Sequence, residues 1–205
     1  MIINLGNIVF GGKGNGGSST ASAYVVPDGM SFGYSTLIPF DDLDFTQKTK
    51  FRYCWYYCSY LTEFPLLNTS RGTDFWFAWN GCSGLTSFPQ LDLSSGTNFG
   101  FAWSSCSKLA SFPALDLSNG SSFYNAWNNC RALTTLGGFG AIKADIDLSA
   151  STLLTVESLI NVITQAADLN ELGLSSRTMT LGSTNLAKLT DEQKAVATNK
   201  GWTLA

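Results

Sequence analysis

Apolar residues recur along this chain at a spacing of 24 positions. Four columns run through four successive copies: Phe51, Phe75, Phe99, Phe123; Trp55, Trp79, Trp103, Trp127; Cys58, Cys82, Cys106, Cys130; and Leu61, Leu85, Leu109, Leu133. Repetition at such a period marks stacked units, none of which can bury its apolar face alone. Within one copy, Phe75, Ala78, Trp79, Cys82 and Leu85 fall at i, i+3, i+4, i+7 and i+10, a spacing that gathers side chains on one face of a helix. Just upstream, Gly72-Thr73-Asp74, Gly96-Thr97-Asn98 and Gly120-Ser121-Ser122 offer acceptors suited to capping a helix start. The pattern then changes to LTSFPQLDLS, where Pro89 excludes a helix and predicts an extended arm. Stacked strands lie about 4.8 Å apart and packed helices about 8 to 10 Å, so coils of this kind are expected to curve with helices on the convex side.

The flanks follow the same logic. In residues 27–50, Leu37, Phe40, Leu43, Asp44 and Phe45 align with Leu61, Phe64, Leu67, Asn68 and Thr69 one period later, while the Phe/Trp/Cys half is missing. This reads as a decayed N-terminal cap repeat. Towards the C-terminus, Thr155 predicts the start of a helix whose face carries Leu159, Ile160, Ile163, Ala166 and Ala167. A strand is expected over 178–181, a capping box from Thr190 to Gln193, a helix ending near Gly201, and a last strand at Trp202, Thr203 and Leu204. The expected division is an N-terminal strand plus Gly-rich linker over 1–26, a repeat region over 27–148 with copies 27–50, 51–74, 75–98, 99–122 and 123–148, and C-terminal capping coils over 149–205. The fold class predicted is α/β: a right-handed, leucine-rich-repeat-like solenoid of stacked helix–strand coils with a helical C-terminal cap and a short N-terminal extension.

The run FxxAWxxCxxL followed by LTxFPxLDL, clearest over 75–118, resembles the BspA-like leucine-rich repeats. In its Gly/Ser/Thr/Asn-rich, Trp-Cys form it is similar to segments of bacteriophage tail-fibre proteins, and residues 180–205 look like the end cap of such arrays. The resemblance covers roughly residues 50 to 205. It implies a tail-fibre or tail-tip protein of a virion that recognises a host surface glycan or protein, trimeric as such fibres commonly are. The alternative it implies is a leucine-rich-repeat adhesin on a bacterial cell surface.

Composition narrows the partners. Only 13 % of the 205 residues are charged, and 44 % are apolar, so Ser, Thr, Asn and Gly must cover the exterior. A net charge of −3 gives no electrostatic footprint for nucleic acid or an anionic membrane, and no apolar run is long enough to span a bilayer. The N-terminus lacks a basic segment before its apolar residues, which argues against a signal peptide and suits assembly onto a particle inside the host. Ile2, Ile3, Leu5, Ile8, Val9 and Phe10 form a short apolar segment ahead of GGKGNGGSST. It reads as a docking or oligomerisation element that contacts other virion or baseplate proteins, or as a loose tail. Gly12, Gly14 and Gly17 fit GxGxxG, but no helix pattern follows and no dinucleotide site is expected.

Candidate chemistry is sparse. The chain has no histidine, which removes the usual base of Ser and Cys nucleophiles and the commonest metal ligand. Five cysteines, four of them one period apart, read as buried free thiols. Asp41, Asp42, Asp44, Asp74, Asp92 and Asp116 could in principle supply a glycosidase pair, yet Asn68, Asp92 and Asp116 form a repeat column and so read as turn residues. No catalytic residue, metal site or cofactor is expected. The outward positions of the expected helices are Tyr53, Phe77, Phe101 and Asn125; Tyr56, Asn80, Ser104 and Asn128; and Tyr60, Gly84, Lys108 and Ala132. Tyr53, Tyr56, Tyr60, Trp76, Phe77, Phe101 and Tyr124, with Tyr57 beside them, form an aromatic stripe suited to a receptor, a glycan or a sister chain.

Overall fold

The computed structural model describes residues 23–205. The apolar segment from Ile2 to Phe10 therefore lies outside the described residues. Chain order begins with strand β1 (Tyr24–Val25), a 3-10 turn over Phe40–Asp42 and strand β2 (Leu43–Asp44). The turn-rich copies follow, with strands β3 (Ser111–Phe112) and β4 (Thr135–Leu136). Strand β5 (Ile146–Asp147), helix α1 (Val156–Gln165), strand β6 (Arg177–Thr180), helices α2 (Gly182–Leu186) and α3 (Asp191–Asn199) and strand β7 (Trp202–Leu204) complete the chain. All strand pairs are parallel, in the orders β1-β2, β3-β4 and β5-β6-β7.

The predicted α/β solenoid of helix–strand coils is not what forms. Among the described residues the three α-helices all lie beyond residue 155, and the strands are two to four residues long, in small sheets of two or three. Residues 75–85, expected as a helix, run as consecutive turns. The reason lies in where the amides go. A helix directs every N–H along its own axis to residue i−4, but here they alternate between two destinations. The N–H groups of Phe75, Phe77, Trp79 and Gly81 donate to the carbonyls of Asn98, Gly100, Ala102 and Ser104, at 2.8 to 3.0 Å. Those of Ala78, Asn80 and Cys82 donate to the carbonyls of Phe75, Phe77 and Trp79 three residues back. The same alternation recurs from Phe51 and from Phe99.

Alternation requires the backbone to reverse at regular points. Tyr53, Tyr57, Phe77, Phe101, Ser105, Asn125 and Asn129 have φ between 52° and 64°, and Gly81 stands at 73° in the same series. Each copy thus has two left-handed residues, four apart. A non-Gly residue there costs roughly 1 to 2 kcal/mol, offset by hydrogen bonds that run from copy to copy instead of closing locally.

The expected caps change role accordingly. The hydroxyls of Thr97 and Ser121 donate to the carbonyls of Thr73 and Thr97, both at 3.0 Å, one period earlier. Asp74 and Asn98 accept from the N–H of Trp76 and Gly100, two residues on. The expected curvature also loses its source, because copies approach equally on both sides. Ring centroids are 5.4 Å apart for Phe75–Phe99, 5.6 Å for Trp79–Trp103 and 5.2 Å for Phe88–Phe112.

The core is the one the columns indicate. Phe51, Trp55, Phe75, Ala78, Trp79, Cys82, Trp103, Cys106 and their counterparts are fully buried and continuous with Leu148, Leu159, Ile163, Met179 and Trp202. The Trp rings are stacked along the copies and meet the Phe64, Phe88 and Phe112 rings at 80° to 86°. All five cysteines are free and buried. Burial pushes the thiols of Cys54 and Cys130 up to about 12 and that of Cys58 to about 11.

Residues 27–50 also depart from expectation, because a stacked arm is present. Phe32 donates its N–H to the Cys54 carbonyl, Tyr34 to that of Tyr56, and Met30 and Phe32 are buried. Lys48 pins this arm: its buried ammonium donates to the carbonyls of Pro27, at 2.6 Å, and Met30, at 3.2 Å. Asp28 adds a second clamp, accepting from the N–H groups of Thr49 and Lys50. At the other end α1 starts at Thr155, whose side chain accepts from Ser158 N–H, as the sequence predicts. Ser158 Oγ in turn accepts from Leu136 N–H and donates to the Thr134 carbonyl, docking the helix on β4. The capping box at Thr190 and Gln193 and the positive φ of Gly201 bound α3.

Candidate functional site

The left-handed residues decide which side chains leave the core. At the third position of each copy the reversal turns the side chain outward, so Tyr53, Phe77 and Phe101 form a column stacked ring on ring. Centroids are 5.1 Å apart for Tyr53–Phe77 and 4.5 Å for Phe77–Phe101, with planes at 18° and 14°. Asn125 holds the next place, and Tyr124 closes the column edge-on to Phe101 at 5.2 Å. Trp76 packs against Phe77 at 4.8 Å and Tyr53 at 5.3 Å. It fits because Gly100 follows it by one period: a Cβ there would lie 2.8 Å from the indole.

Tyr56 extends the strip sideways, at 5.3 Å from Tyr53 and 4.6 Å from Tyr57. Tyr34 stacks on Tyr57 at 5.5 Å and 20°, and meets Tyr56 edge-on at the same distance. Tyr34 and Tyr124, 59 % and 68 % exposed, are its most accessible rings. Burial, with the hydroxyls of Tyr34 and Tyr57 close by, raises the Tyr56 phenol above its usual range. Arg52 lies over the Trp76 ring, 5.2 Å from its centroid, and its Nε donates to Asp74.

Six of the seven predicted residues are therefore in one surface, and the seventh is not. Tyr60 is half-buried against the core beside Phe40 and Phe64, and burial pushes its phenol up to about 12. Asn80 and Ser104, expected to face outward with Tyr56, are buried, because the turn path rotates them away from the direction a helix would give. Tyr34 and Arg52 join the surface in addition to the predicted residues. Arg52 was legible, since Arg52, Trp76, Gly100 and Tyr124 share one column of the period. Tyr34 was hidden, because it meets Tyr57 across 23 residues rather than 24.

The strip ends at an open cavity of about 420 Å³ bordered by Gly29, Tyr34, Arg52, Tyr53 and Tyr56. The carboxylates show a different role. Asp92 accepts from the N–H and hydroxyl of Ser94, and Asp116 from the N–H of Ser118. The Ser118 side chain and N–H hold the Asp116 carboxyl below the usual range. These are Asx turns that shape the loop after each extended arm. Among the described residues no group of three or more Cys, Asp or Glu is placed to hold a metal ion, and no helix is long and apolar enough to cross a membrane.

No protein-family model, curated protein or solved structure matches this chain.

Proposed function

We propose that this chain is a non-enzymatic attachment protein of a bacteriophage tail fibre or tail tip, binding a host cell surface through the aromatic strip. One observation carries the reading: rings in mutual contact run from exposed Tyr34 through Tyr56 and Tyr53, along half-buried Phe77 and Phe101, to exposed Tyr124, across the copies. A contiguous apolar surface with polar tips is what recognition faces present and what isolated surfaces seldom leave open. The chain's few charges and the turn roles of Asp92 and Asp116 support binding rather than catalysis. The virion assignment and the trimer rest on the resemblance of the repeats, and assembly through the segment from Ile2 to Phe10 rests on its apolar residues ahead of a Gly-rich run.

The experiment is adsorption of the labelled full chain to a panel of bacterial cells, with and without the substitutions Tyr34→Ala, Tyr57→Ala and Tyr124→Ala combined. All three rings are exposed, so the fold is expected to survive. Cell binding lost in the triple variant supports the reading; binding equal to that of the parent overturns it. Light scattering on the full chain tests the trimer separately.

A further inference from the structure

The strip is built of rings that largely cover one another. Phe77 has Tyr53 stacked on one face and Phe101 on the other, and Phe101 is closed by the edge contact from Tyr124. Such rings present edges to solvent, not faces. Tyr53 is different. Phe77 stacks on one of its faces, and among the described residues no ring stacks on the other.

The cause is one residue in the copy ahead. Left-handed φ values recur at 24-residue intervals at Tyr53, Phe77, Phe101 and Asn125, and one interval before Tyr53 the same conformation falls on Gly29, φ 83°. Glycine therefore occupies the column position where a ring would cover Tyr53, and a Cβ built on Gly29 meets nothing within 4 Å. The 420 Å³ cavity opens at this position, with Gly29 and Tyr53 both in its lining. That volume lies in the range of small-molecule sites, about 300 to 1,000 Å³.

Polar groups ring this face. Tyr34 and Tyr56 bring phenol rings to the rim, and Arg52 is held with its Nε on Asp74, which leaves its two terminal nitrogens for another acceptor. An aromatic face framed by hydroxyl and guanidinium groups matches a ligand with an apolar C–H face and a rim of hydroxyls. We propose that this cavity is a subsite for a single pyranose ring, stacked on Tyr53 and hydrogen-bonded at its edge by Arg52, Tyr34 and Tyr56. The inference rests on the attachment reading and specifies its ligand as a sugar residue exposed on a surface glycan.

The test is saturation-transfer NMR on the full chain with methyl glucoside, methyl galactoside, methyl mannoside, N-acetylglucosamine and methyl glucuronide, followed by titration. Transfer from tyrosine protons to one face of at least one of these sugars is expected. Affinity should fall by about tenfold or more in Tyr53→Ala, in Tyr34→Ala and in Gly29→Phe, which would extend the ring column over Tyr53. Leu66→Ala, 73 % exposed and outside the cavity, should leave affinity unchanged. Tyr34 is exposed enough that its variant stays informative if Gly29→Phe does not fold. No transfer from any of the five sugars, or affinity unchanged in both tyrosine variants, overturns the proposal. Cells that bind the protein after periodate oxidation but not after protease treatment overturn the sugar subsite alone and leave the attachment reading standing; cells that never bind overturn that reading itself.

Discussion

The thiol of Cys106 donates to the carbonyl of Trp79, 3.2 Å away and 27 residues earlier. Cys82 does the same to Trp55 and Cys130 to Trp103, at 3.2 and 3.1 Å. The cysteine column is thus a row of weak hydrogen bonds that tie one copy to the last, each made where the backbone has directed a carbonyl along the stack.

These thiols set a pH limit on the fold. Their folded values lie above the ordinary 9.0, with Cys58 at about 11 and Cys130 at about 12. Well below pH 9 both states hold the proton, so the thiols cost nothing. Above it the unfolded chain loses protons that the folded chain retains, and stability falls until the folded values are reached. The free energy of urea unfolding, and the midpoint with it, should therefore change little from pH 7 to 8 and fall by pH 10, by roughly 1.4 kcal/mol for each thiol. A midpoint that holds steady to pH 10 contradicts the burial. Native protein should also resist thiol-reactive dye until denatured.

Trp103 has a stacked Trp on each side, Trp79 at 5.6 Å and Trp127 at 5.3 Å. Trp103→Ala should cost about 3 to 5 kcal/mol in denaturant unfolding. The loss should exceed that of Trp55→Ala, which removes a ring from the end of the row.

Ser105 is a left-handed residue at the place Gly81 holds one copy earlier. Ser105→Gly removes the steric cost and should leave stability equal or raise it by up to about 1 kcal/mol. Ser105→Val should lower it by more than about 1 kcal/mol, because β-branching resists positive φ. Gly84→Ala should be worse, since the added Cβ would stand 2.4 Å from the Ser59 carbonyl oxygen. Thermal melts of the three variants rank them.

Lys48 holds the arm that forms one wall of the cavity. Lys48→Met keeps the stem and removes the ammonium that Pro27 and Met30 accept from. Amide exchange is expected to speed up at Phe32 and Tyr34, while Trp103 stays protected. Equal protection at all three would mean that the arm is held without Lys48.

Much of the site was readable because a fixed period places residues i and i+24 side by side whatever path joins them. That is why Tyr53, Phe77 and Phe101 group from the sequence, and why Arg52, Trp76 and Tyr124 fall together in the column beside them. The one-residue slip between Tyr34 and Tyr57 was not readable, since no column marks it. Nor does the sequence give the direction of Asn80 or Ser104, because a helix points them outward and the observed turns bury them.

The sequence by itself determined the period, the buried columns and the helices α1 and α3, because burial of Phe, Trp, Cys and Leu at recurrent positions is favourable in any stacked arrangement and Thr155 and Thr190 cap their helices locally. Only the tertiary structure decided the path of the copies. Spacings of three, four and seven residues put the same side chains inward in a helix as in a run of turns that reverses every fourth residue. What separates the two is whether each N–H finds its acceptor in its own turn or in the copy alongside, and that depends on the neighbour being there.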